Sequence, residues 1–524
     1  HEAGVDAAFL NSTLDWEQTQ DVELRLQTGQ ITLLYAAPER LNTPRFLGLL
    51  DSLYDRGNLS LFAIDEAHCV SQWGHDFRPE YRALTATADD VARADIVERR
   101  QLQAAEPFIS SFDRPNIRYT IVEKKDATTQ LLRFIEREHS GEAGVVYCQS
   151  RKRVEELAAT LQDAGINALP YHAGLDTKVR QNHQDRFLRE EGIVMVATIA
   201  FGMGIDKPDV RFVAHVDMPK NIEGYYQETG RAGRDGLNAD AWMAYGLNDV
   251  VNQRRMIDES PAGEEFKQAL RGKLDALLAL AEATDCRRVR LLAYFGEAST
   301  PCGNCDNCLN PPAVWDATDA ARKLLSTIYR VNQASGISFG TGHIMDILRG
   351  KKTEKVAQFG HEKISTFGIG ADLTEPQLRG VLRQLIATGA VGLQKVMLDS
   401  GHSFDTLCLT EGSRAVLKGE VPVQLRESVS SAPAKRTRKS SAPPAAAANL
   451  GPDAQVRFIN LKAWRAEVAR EHNLPAYVIF HDATLAAIAE RNPGTLEDLQ
   501  GISGMGAKKL EAYGAEVLRV VEKR

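Results

Sequence analysis

Residues 61–78 read LFAIDEAHCVSQWGHDFR, an apolar run that ends in the tetrad Asp65-Glu66-Ala67-His68. A buried strand that delivers two adjacent carboxylates to a loop suits nucleotide hydrolysis, because one carboxylate can hold Mg²⁺ while its neighbour activates the attacking water. A surface turn after a strand is the alternative, and an isolated DE pair would favour it because short motifs are weak signals. The apolar run before DEAH and the motifs downstream favour the hydrolytic interpretation.

The chain of 524 residues is long enough for roughly three to five domains. Its hydrophobic content of 43% and charged content of 25% are typical of globular proteins. A net charge of −7 argues against a uniformly basic nucleic-acid coat but allows local basic surfaces. No apolar run could span a bilayer, no signal peptide is recognisable, and the cysteines do not suggest an oxidising compartment. We therefore expect a cytoplasmic location and no membrane partner.

Strand-like runs at residues 5–10, 31–35 and 61–64 predict a parallel α/β sheet in the first part of the chain. No G-x-x-x-x-G-K-[ST] phosphate loop occurs in the sequence, although a DEAH pair needs a phosphate cradle beside it. Residues 83–88 look like the next parallel strand, yet they lack the preceding crossover of about a dozen residues that parallel pairing requires. We expect that a segment near residue 82 and the amino-terminal part of this domain are missing from the sequence.

The strand–helix alternation restarts beyond residue 110. The predicted elements are strands at residues 144–148, 194–197 and 210–215 and a helix at residues 151–161. Residues 227–236 then read QETGRAGRDG, in which Arg231 and Arg234 can face one site together. An arginine delivered to a γ-phosphate stabilises charge in the transition state, and a solvated basic turn is the alternative.

The motifs, in their order along the chain, resemble those of superfamily 2 helicases. They are DEAH, TAT at residues 85–87, YHAGL at 171–175, ATIAFGMGIDKPDVRFV at 197–213 and QETGRAGRDG. SQWGHDFRPEY at residues 71–81 and SSFDRPNI at 110–117 narrow the resemblance to the RecQ family of DNA helicases. The resemblance implies two RecA-like domains, with a Walker A loop upstream of His1 and a helix and strand before TAT.

The resemblance also implies ATP and Mg²⁺ as cofactors. By position, Asp65 would hold Mg²⁺, Glu66 would activate water, and His68 would couple the nucleotide state to residues 71–78. Arg231 and Arg234 would be the motif VI arginines. Arg234 is the better candidate for the arginine finger, and Gln227 would lie near the nucleotide.

Residues 71–78 resemble the aromatic-rich loop that senses single-stranded DNA in this family. The physical chemistry agrees, because Trp73 and Phe77 offer stacking faces and His75 and Arg78 offer phosphate or base contacts. Core packing is the alternative for the two aromatic residues, but their sequence neighbours are polar.

Residues 256–283 read as helical, and a cysteine pattern follows. Cys286 is separated by a helix-sized gap from Cys302, Cys305 and Cys308, which have C-x-x-C-x-x-C spacing. Four thiolates suit a closed tetrahedral zinc site that contributes folding energy. Ordinary reduced cysteines and a redox pair are the alternatives, and the ligand-like spacing favours zinc. The block also resembles the zinc-binding subdomain of the family.

Three helical patterns and a hairpin predict a winged helix at residues 312–425 that grips duplex DNA. Arg379 and Arg383 are candidate phosphate contacts on an exposed helix face, and a merely solvated face is the alternative. His402 and Phe404 at the wing tip are candidates to meet the duplex end. The hairpin looks too short for a long strand-separating pin.

A Ser-, Ala- and Pro-rich linker with the basic cluster 435–439 leads to a compact helical unit that resembles an HRDC domain. The cluster could touch DNA or simply solubilise the tether. In the helical unit, residues 501–509 resemble a helix–hairpin–helix-like turn whose amides could meet phosphate. Because the charge of the unit is nearly balanced, weak DNA binding and protein binding are both open.

The sequence therefore predicts a multidomain protein with two α/β RecA-like domains built on parallel sheets, a helical zinc subdomain, a winged helix and an all-α HRDC domain. The expected boundaries are 1–110, 111–250, 251–311, 312–425, 426–453 for the linker and 454–524. The resemblance implies an ATP-dependent DNA helicase, and the 3′–5′ direction rests on the resemblance alone. The expected partners are single-stranded and duplex DNA and single-strand-binding protein, and the protein is expected to be a nucleoid-associated monomer. The alternatives are an architectural DNA-binding protein with an inactive ATPase and a duplex translocase that does not unwind.

Overall fold

The computed structural model describes residues 5–11, 14–36, 43–59, 111–199, 201, 207–397, 403–426, 450–472 and 474–522. The chain divides into two compact units, one of residues 1–112 and 293–297 and one of residues 113–292 and 298–524. Within the described part of the chain, no helix is long and apolar enough to cross a membrane.

Between residues 5 and 59, the described part of the first unit contains two strands and two helices. They are β1 (Ala7–Leu10), α1 (Trp16–Gln27), β2 (Leu33–Ala36) and α2 (Pro44–Asp55). The strands pair in parallel, with Ala7 opposite Leu33, which confirms the predicted pairing. Helix α1 begins where the Asp15 carboxylate accepts from the backbone N–H of Gln18. The predicted strand at residues 61–64 lies outside the described residues.

The second unit begins with a six-stranded parallel sheet in the order β3-β8-β7-β4-β6-β5. Its strands are β3 (Ile117–Glu123), β4 (Gly144–Tyr147), β5 (Ala168–Tyr171), β6 (Val194–Ala197), β7 (Phe212–His215) and β8 (Ala239–Tyr245). The helices between them are α3 (Ala127–Glu138), α4 (Arg151–Asp163), α5 (Thr177–Arg189) and α6 (Ile222–Thr229). All residues of β4, β6 and β7 are buried, as expected for central strands of a parallel sheet covered on both faces. These three are the strands that the sequence predicted.

A helical segment follows the sheet. It contains α7 (Leu247–Asp258), α8 (Glu264–Glu282), α9 (Arg287–Tyr294) and the short α10 (Asp306–Leu309). The prediction of continuous helix over residues 256–283 is wrong, because residues 259–263 separate two helices. Pro261 cannot donate a backbone hydrogen bond inside a helix, and Gly263 is the N-cap of α8.

The predicted winged helix is confirmed, with a second small strand pair. Its helices are α11 (Thr318–Ser335), α12 (Thr341–Leu348), α13 (Glu354–Gln358), α14 (Glu375–Ala387) and α15 (Gly412–Lys418). Its strands are β9 (Val314–Asp316), β10 (Val391–Met397), β11 (Ser403–Leu409) and β12 (Gln424–Arg426), and β10–β11 and β12–β9 pair antiparallel. Four apolar residues of α14, Leu378, Val381, Leu382 and Leu385, have the i, i+3, i+4, i+7 spacing of one helix face, and all four are buried.

The last domain consists entirely of helices in its described residues. They are α16 (Pro452–Glu471), α17 (Ala476–Ile479), α18 (Asp482–Arg491), α19 (Leu496–Leu499) and α20 (Ala507–Glu522). Phe458, Leu461 and Val468 of α16 lie in the hydrophobic core of this domain. Helix α20 begins directly after the glycine-rich residues 501–506. A Cβ on Gly504 would lie 2.1 Å from Thr484 Oγ1, so a larger residue does not fit there.

Candidate functional site

Part of the predicted site lies outside the described residues. These residues are Asp65, Glu66, His68, Trp73, His75, Phe77, Arg78 and His402, together with the basic cluster 435–439. The backbone of Phe404 is described, and it pairs opposite Val396 in the hairpin. The arginines of residues 227–236 and the four clustered cysteines are described in full.

Arg231 and Arg234 lie on a turn that follows helix α6, and residues 230–236 are named the arginine turn. Helix α6 is capped by Asn221, whose Oδ1 accepts from the Gly224 N–H at 2.8 Å. Arg234 is exposed, whereas Arg231 is half-buried and its Nε has no hydrogen-bond partner in the described part of the chain. Gln227 is half-buried on the last turn of α6.

Arg114 holds the first half of the arginine turn by hydrogen bonds to the carbonyl groups of the turn. Its guanidinium donates to the carbonyl oxygens of Gly230 at 2.8 Å, Ala232 at 2.8 Å and Gly233 at 3.1 Å. The Asn116 side-chain amide donates to the Gly233 oxygen at 2.8 Å. Both of these residues belong to the SSFDRPNI motif at residues 110–117, whose resemblance to the family gave no indication of this contact.

Arg211 holds the second half of the turn. Its Nη2 lies 2.6 Å from Asp235 Oδ2, and the two side chains are only 3% and 2% exposed. The same guanidinium donates to the Asn238 carbonyl oxygen at 3.2 Å. Gly233 has φ +57°, and a Cβ there would lie 2.4 Å from the Asn116 Nδ2, so this position requires glycine.

A stacked pair of rings lies close to the arginine turn. The ring centroids of Tyr147 and His215 are 5.2 Å apart, and His215 Nε2 is 2.7 Å from Glu228 Oε2. Burial raises the pKa of the Tyr147 hydroxyl, and the positive charges of Arg231 and Arg234 act in the opposite direction. Both guanidinium groups are therefore within electrostatic reach of one buried hydroxyl.

The four clustered cysteines are placed for a tetrahedral metal ion. Cys286 Sγ lies 3.5 Å from Cys302 Sγ and 4.0 Å from Cys305 Sγ, and Cys302 Sγ lies 4.0 Å from Cys308 Sγ. All four sulfur atoms lie within 4.8 Å of one another. Sulfur ligands at about 2.3 Å from a central zinc ion would be about 3.8 Å apart in a tetrahedron. The donor set and its spacing therefore fit zinc.

The cysteine pKa values explain why this cluster needs a cation. Burial alone would raise the pKa of Cys286, but the backbone N–H groups of Cys302 and Val289 outweigh it and lower that pKa to about 7. Burial and the neighbouring sulfur atoms raise the pKa of Cys308 to about 12. A positive charge among the sulfur atoms would favour the thiolate form of Cys308, so zinc binding there releases a proton.

Arg288 connects the zinc subdomain to the segment that holds the arginine turn. Its Nη2 donates to the carbonyl oxygens of Arg114 at 3.2 Å and Ile117 at 2.7 Å, and its Nε lies 3.3 Å from Asp113 Oδ1. Because Arg288 is two residues beyond the ligand Cys286, the zinc fold and the arginine turn share one chain of contacts. Nothing in the sequence pattern marked Arg288 for this role.

The two arginines predicted on the exposed face of α14 differ in their exposure to solvent. Arg379 is exposed and pairs with Glu375 at 3.0 Å. Arg383 is 7% exposed and pairs with Glu282 at 2.5 Å and Glu123 at 2.8 Å. The predicted exposure of Arg383 is therefore wrong, because helix α8 covers that side of α14. Apolar periodicity reveals the face toward the domain's own core, but not a charged face covered by another domain.

Family models match most of the chain beyond the first unit. They are the Helicase conserved C-terminal domain at residues 123–236, RecQ zinc-binding at 247–309, the RQC domain at 311–434 and the HRDC domain at 454–521. The zinc-binding model spans all four cysteines, so the cluster is a structural zinc site. The parallel sheet with its arginine turn and these accessory domains define the class as a modular helicase.

Similarity to known proteins extends over nearly the whole chain. It is 42% identical to the ATP-dependent DNA helicase RecQ of Haemophilus influenzae, covering 99% of this chain and 83% of that protein. It is 34% identical to the ATP-dependent DNA helicase RecQ of Bacillus subtilis, and the match covers 99% of this chain and 85% of that protein. The chain belongs to the RecQ family.

Proposed function

We propose that this ATP-dependent DNA helicase unwinds duplex and branched DNA in the 3′ to 5′ direction during recombination, repair and replication-fork processing. The observation that carries the proposal is the arginine turn, which Arg114 and Arg211 hold from both sides. A turn held from both sides by charged side chains can present a guanidinium at a constant position to a phosphate. Similarity to ATP-dependent DNA helicases over 99% of the chain supports the same function.

The proposed chemistry divides between two groups of residues. Asp65 holds Mg²⁺ and Glu66 activates the attacking water, as their sequence motif implies. Arg234, which is exposed on the arginine turn, stabilises charge on the γ-phosphate, with Arg231 beside it. Gln227 lies one turn before these arginines, near the nucleotide. ATP with Mg²⁺ supplies the triphosphate whose cleavage drives movement.

The proposed DNA contacts come from three regions. Trp73, His75, Phe77 and Arg78 contact single-stranded DNA on the loop that follows DEAH. The winged helix holds the duplex through Arg379 on helix α14, with His402 and Phe404 at the wing. Single-strand-binding protein is the proposed protein partner of the winged-helix region, and the helicase acts as a monomer in the cytoplasm, associated with the nucleoid.

The test compares full-length wild-type protein with Glu66→Gln and Arg234→Ala variants. Wild type should hydrolyse ATP in a DNA-dependent manner and displace a strand from a partial duplex. Glu66→Gln should abolish both activities, and Arg234→Ala should lower kcat by about 10³-fold, the contribution of an arginine finger. Trp73→Ala should lose DNA stimulation and keep basal hydrolysis, because it removes a stacking face and leaves the nucleotide residues intact.

The outcomes also separate the competing functions. A wild-type protein that binds DNA without hydrolysing ATP would be an architectural protein, and one that hydrolyses ATP without strand displacement would be a duplex translocase. Equal hydrolysis by wild type and Glu66→Gln would show that Glu66 does not activate water. No feature of the described residues favours the architectural alternative, and the relatives favour the helicase.

A further inference from the structure

The inner strand β4 ends in a buried tyrosine that lies between two other strand ends. Strand β4 is hydrogen-bonded to β6 on one side and to β7 on the other. Its last residue, Tyr147, lies opposite Ala197 at the end of β6 and opposite His215 at the end of β7. Because the three strands are parallel, these residues share the carboxyl edge of the sheet, the edge where ligands bind in such folds. Tyr147 is only 4% exposed at this edge.

The Tyr147 hydroxyl is held by a fixed point of the backbone. It donates to the carbonyl oxygen of Phe201 at 2.9 Å, four residues after the end of β6. Phe201 is buried, and its ring centroid lies 4.7 Å from that of Tyr171 and 5.3 Å from that of Phe187. Since the hydroxyl uses its single hydrogen atom on Phe201, its oxygen remains an acceptor for a second group.

The ring of Tyr147 is connected to the backbone of the arginine turn. It stacks on His215, with centroids 5.2 Å apart, and His215 Nε2 lies 2.7 Å from Glu228 Oε2 near the end of helix α6. The backbone N–H of Arg231 donates to the Glu228 carbonyl oxygen at 3.3 Å. His215 and Glu228 are both buried, so a continuous series of fixed contacts joins Tyr147 to Arg231.

The side chain of Arg231 also reaches the Tyr147 hydroxyl. Burial raises the pKa of Tyr147, and the charge of Arg231, together with a hydrogen bond from its side chain, acts in the opposite direction. Within the described part of the chain, Arg231 Nε has no hydrogen-bond partner. A neutral tyrosine oxygen orients a guanidinium without neutralising it, whereas a carboxylate would compensate the charge. The positive charge of Arg231 therefore stays available for a phosphate.

We propose that Tyr147 is a positioning residue for ATP hydrolysis, because its hydroxyl links the Arg231 guanidinium to the fixed carbonyl group of Phe201. The inference rests on the proposed role of Arg231 beside the γ-phosphate. The hydroxyl holds the guanidinium in one orientation while the charge remains available to the phosphate. Without the hydroxyl, the guanidinium takes several orientations, and fewer of them stabilise the transition state.

The test measures kcat and the KM for ATP of the full-length protein, saturated with single-stranded DNA. Tyr147→Phe removes the hydroxyl and keeps the ring that stacks on His215. Tyr225→Phe is the matched control, because the Tyr225 ring also contacts His215, at 5.4 Å, and is buried. The Tyr225 hydroxyl has no hydrogen-bond partner among the described residues. Arg231→Ala and the double variant Tyr147→Phe/Arg231→Ala complete a double-mutant cycle.

Tyr147→Phe should lower kcat by about tenfold, the usual contribution of one hydrogen bond, and should leave the KM for ATP within about twofold of wild type. In the Arg231→Ala background, the same substitution should change kcat by less than about twofold, because the guanidinium that Tyr147 orients is gone. Tyr225→Phe should keep kcat within about twofold of wild type, since it removes no hydrogen bond.

A wild-type kcat in Tyr147→Phe would overturn the proposal, whatever the melting temperature of the variant. An equal fall of kcat with and without Arg231 would overturn it as well, because Tyr147 would then act independently of that arginine. Failure of the proposed function has a different signature. In that case Arg231→Ala and Arg234→Ala would both hydrolyse ATP at the wild-type rate, which would overturn the proposed role of the arginine turn together with this inference.

Discussion

The Arg114 guanidinium donates a hydrogen bond to the carbonyl oxygen of Gly230 across 2.8 Å. A residue just ahead of the first strand of the second helicase lobe thereby fixes the beginning of the arginine turn. Two further bonds from the same guanidinium reach Ala232 and Gly233, so the backbone on either side of Arg231 is held. Hydrogen bonds from charged donors are stronger than those from neutral donors, which suits the proposed role of this turn in presenting an arginine to a phosphate.

Replacing Arg114 with alanine should therefore impair hydrolysis more than nucleotide binding. We expect kcat to fall by about 10- to 100-fold, the usual effect of misplacing a catalytic group by about an ångström, with a small change in the KM for ATP. Arg118→Ala is the matched control, because Arg118 lies four residues after Arg114 on the same segment. It pairs with Glu138 and Asp240 and does not contact the arginine turn. Steady-state ATP hydrolysis at saturating single-stranded DNA measures both parameters. Equal kcat values for the two variants would contradict the positioning role.

Removing zinc should unfold the zinc subdomain and weaken its contact with the segment that holds the arginine turn. Cys305→Ser should abolish zinc binding and lower the melting temperature, because a structural site contributes on the order of 10 kcal/mol of metal-binding free energy. ATP turnover should fall too, since Arg288 reaches from this subdomain to the carbonyl oxygen of Arg114. Cys408→Ser is the control, because Cys408 lies on β11 outside the cluster. Zinc content by atomic emission and thermal unfolding give the result, and a zinc-free variant with wild-type stability would contradict it.

Acid should destabilise the winged helix through a buried histidine pair. His343 Nε2 lies 2.8 Å from His361 Nδ1, and the residues are 6% and 0% exposed. Burial, with smaller contributions from His361 and Lys355, lowers the pKa of His343 from 6.5 to about 4, and burial also lowers the pKa of His361. The folded state therefore favours neutral imidazoles, and protonation favours the unfolded chain.

Stability should be fully present above pH 6.5 and should be lost as the pH falls toward 4. The slope contributed by His343 should approach about 1.4 kcal/mol per pH unit within that window, and the lowered pKa of His361 acts in the same direction. Urea unfolding at several pH values, compared with His343→Gln, isolates the effect because glutamine keeps a donor but does not titrate. Zinc loss at low pH would affect both proteins alike. Identical pH slopes for the two proteins would count against the prediction.

The HRDC domain should separate from the domain of the six-stranded sheet when Glu191 is replaced by a cationic residue. Arg465 Nη2 lies 2.7 Å from Glu191 Oε1 and 2.6 Å from Asp482 Oδ1, and its side chain is 1% exposed. Lys462 Nζ is 3.4 Å from Glu191 as well. Burial alone would raise the pKa of Asp482, but the two cations hold it well below its usual range, so Asp482 is charged.

Glu191→Lys would place a third cation beside Lys462 and Arg465. We expect the transfer efficiency between fluorophores on the lobe and the HRDC domain to fall, and a wild-type protein in high salt to show a weaker version of the change. Glu190→Lys is the adjacent control, because Glu190 pairs with Arg186 at 2.8 Å within its own domain. Unchanged transfer in Glu191→Lys would show that this ion pair does not hold the domain.

Sequence alone predicted much of the second unit because its signals are local. Strands such as residues 194–197 are continuous apolar runs. Three members of the zinc site have C-x-x-C-x-x-C spacing, and the fourth, Cys286, precedes them by a helix-sized gap. The apolar spacing of helix α14 also placed its core face correctly. The break before α8 was missed, although Pro261 and Gly263 are local signals for it.

Sequence by itself determined which chemistry is present: a carboxylate pair, paired arginines on a glycine-rich turn and four thiols at ligand spacing. Only the tertiary structure decided which charged groups are buried and what they hold. Arg114, Arg211, Arg288 and Arg383 are polar side chains whose partners lie far away in the sequence, so neither periodicity nor spacing marks them. Arg114 is half-buried and the other three are buried. These positions depend on compensation by carboxylates and carbonyl groups from other elements, and that compensation exists only after the domains have packed.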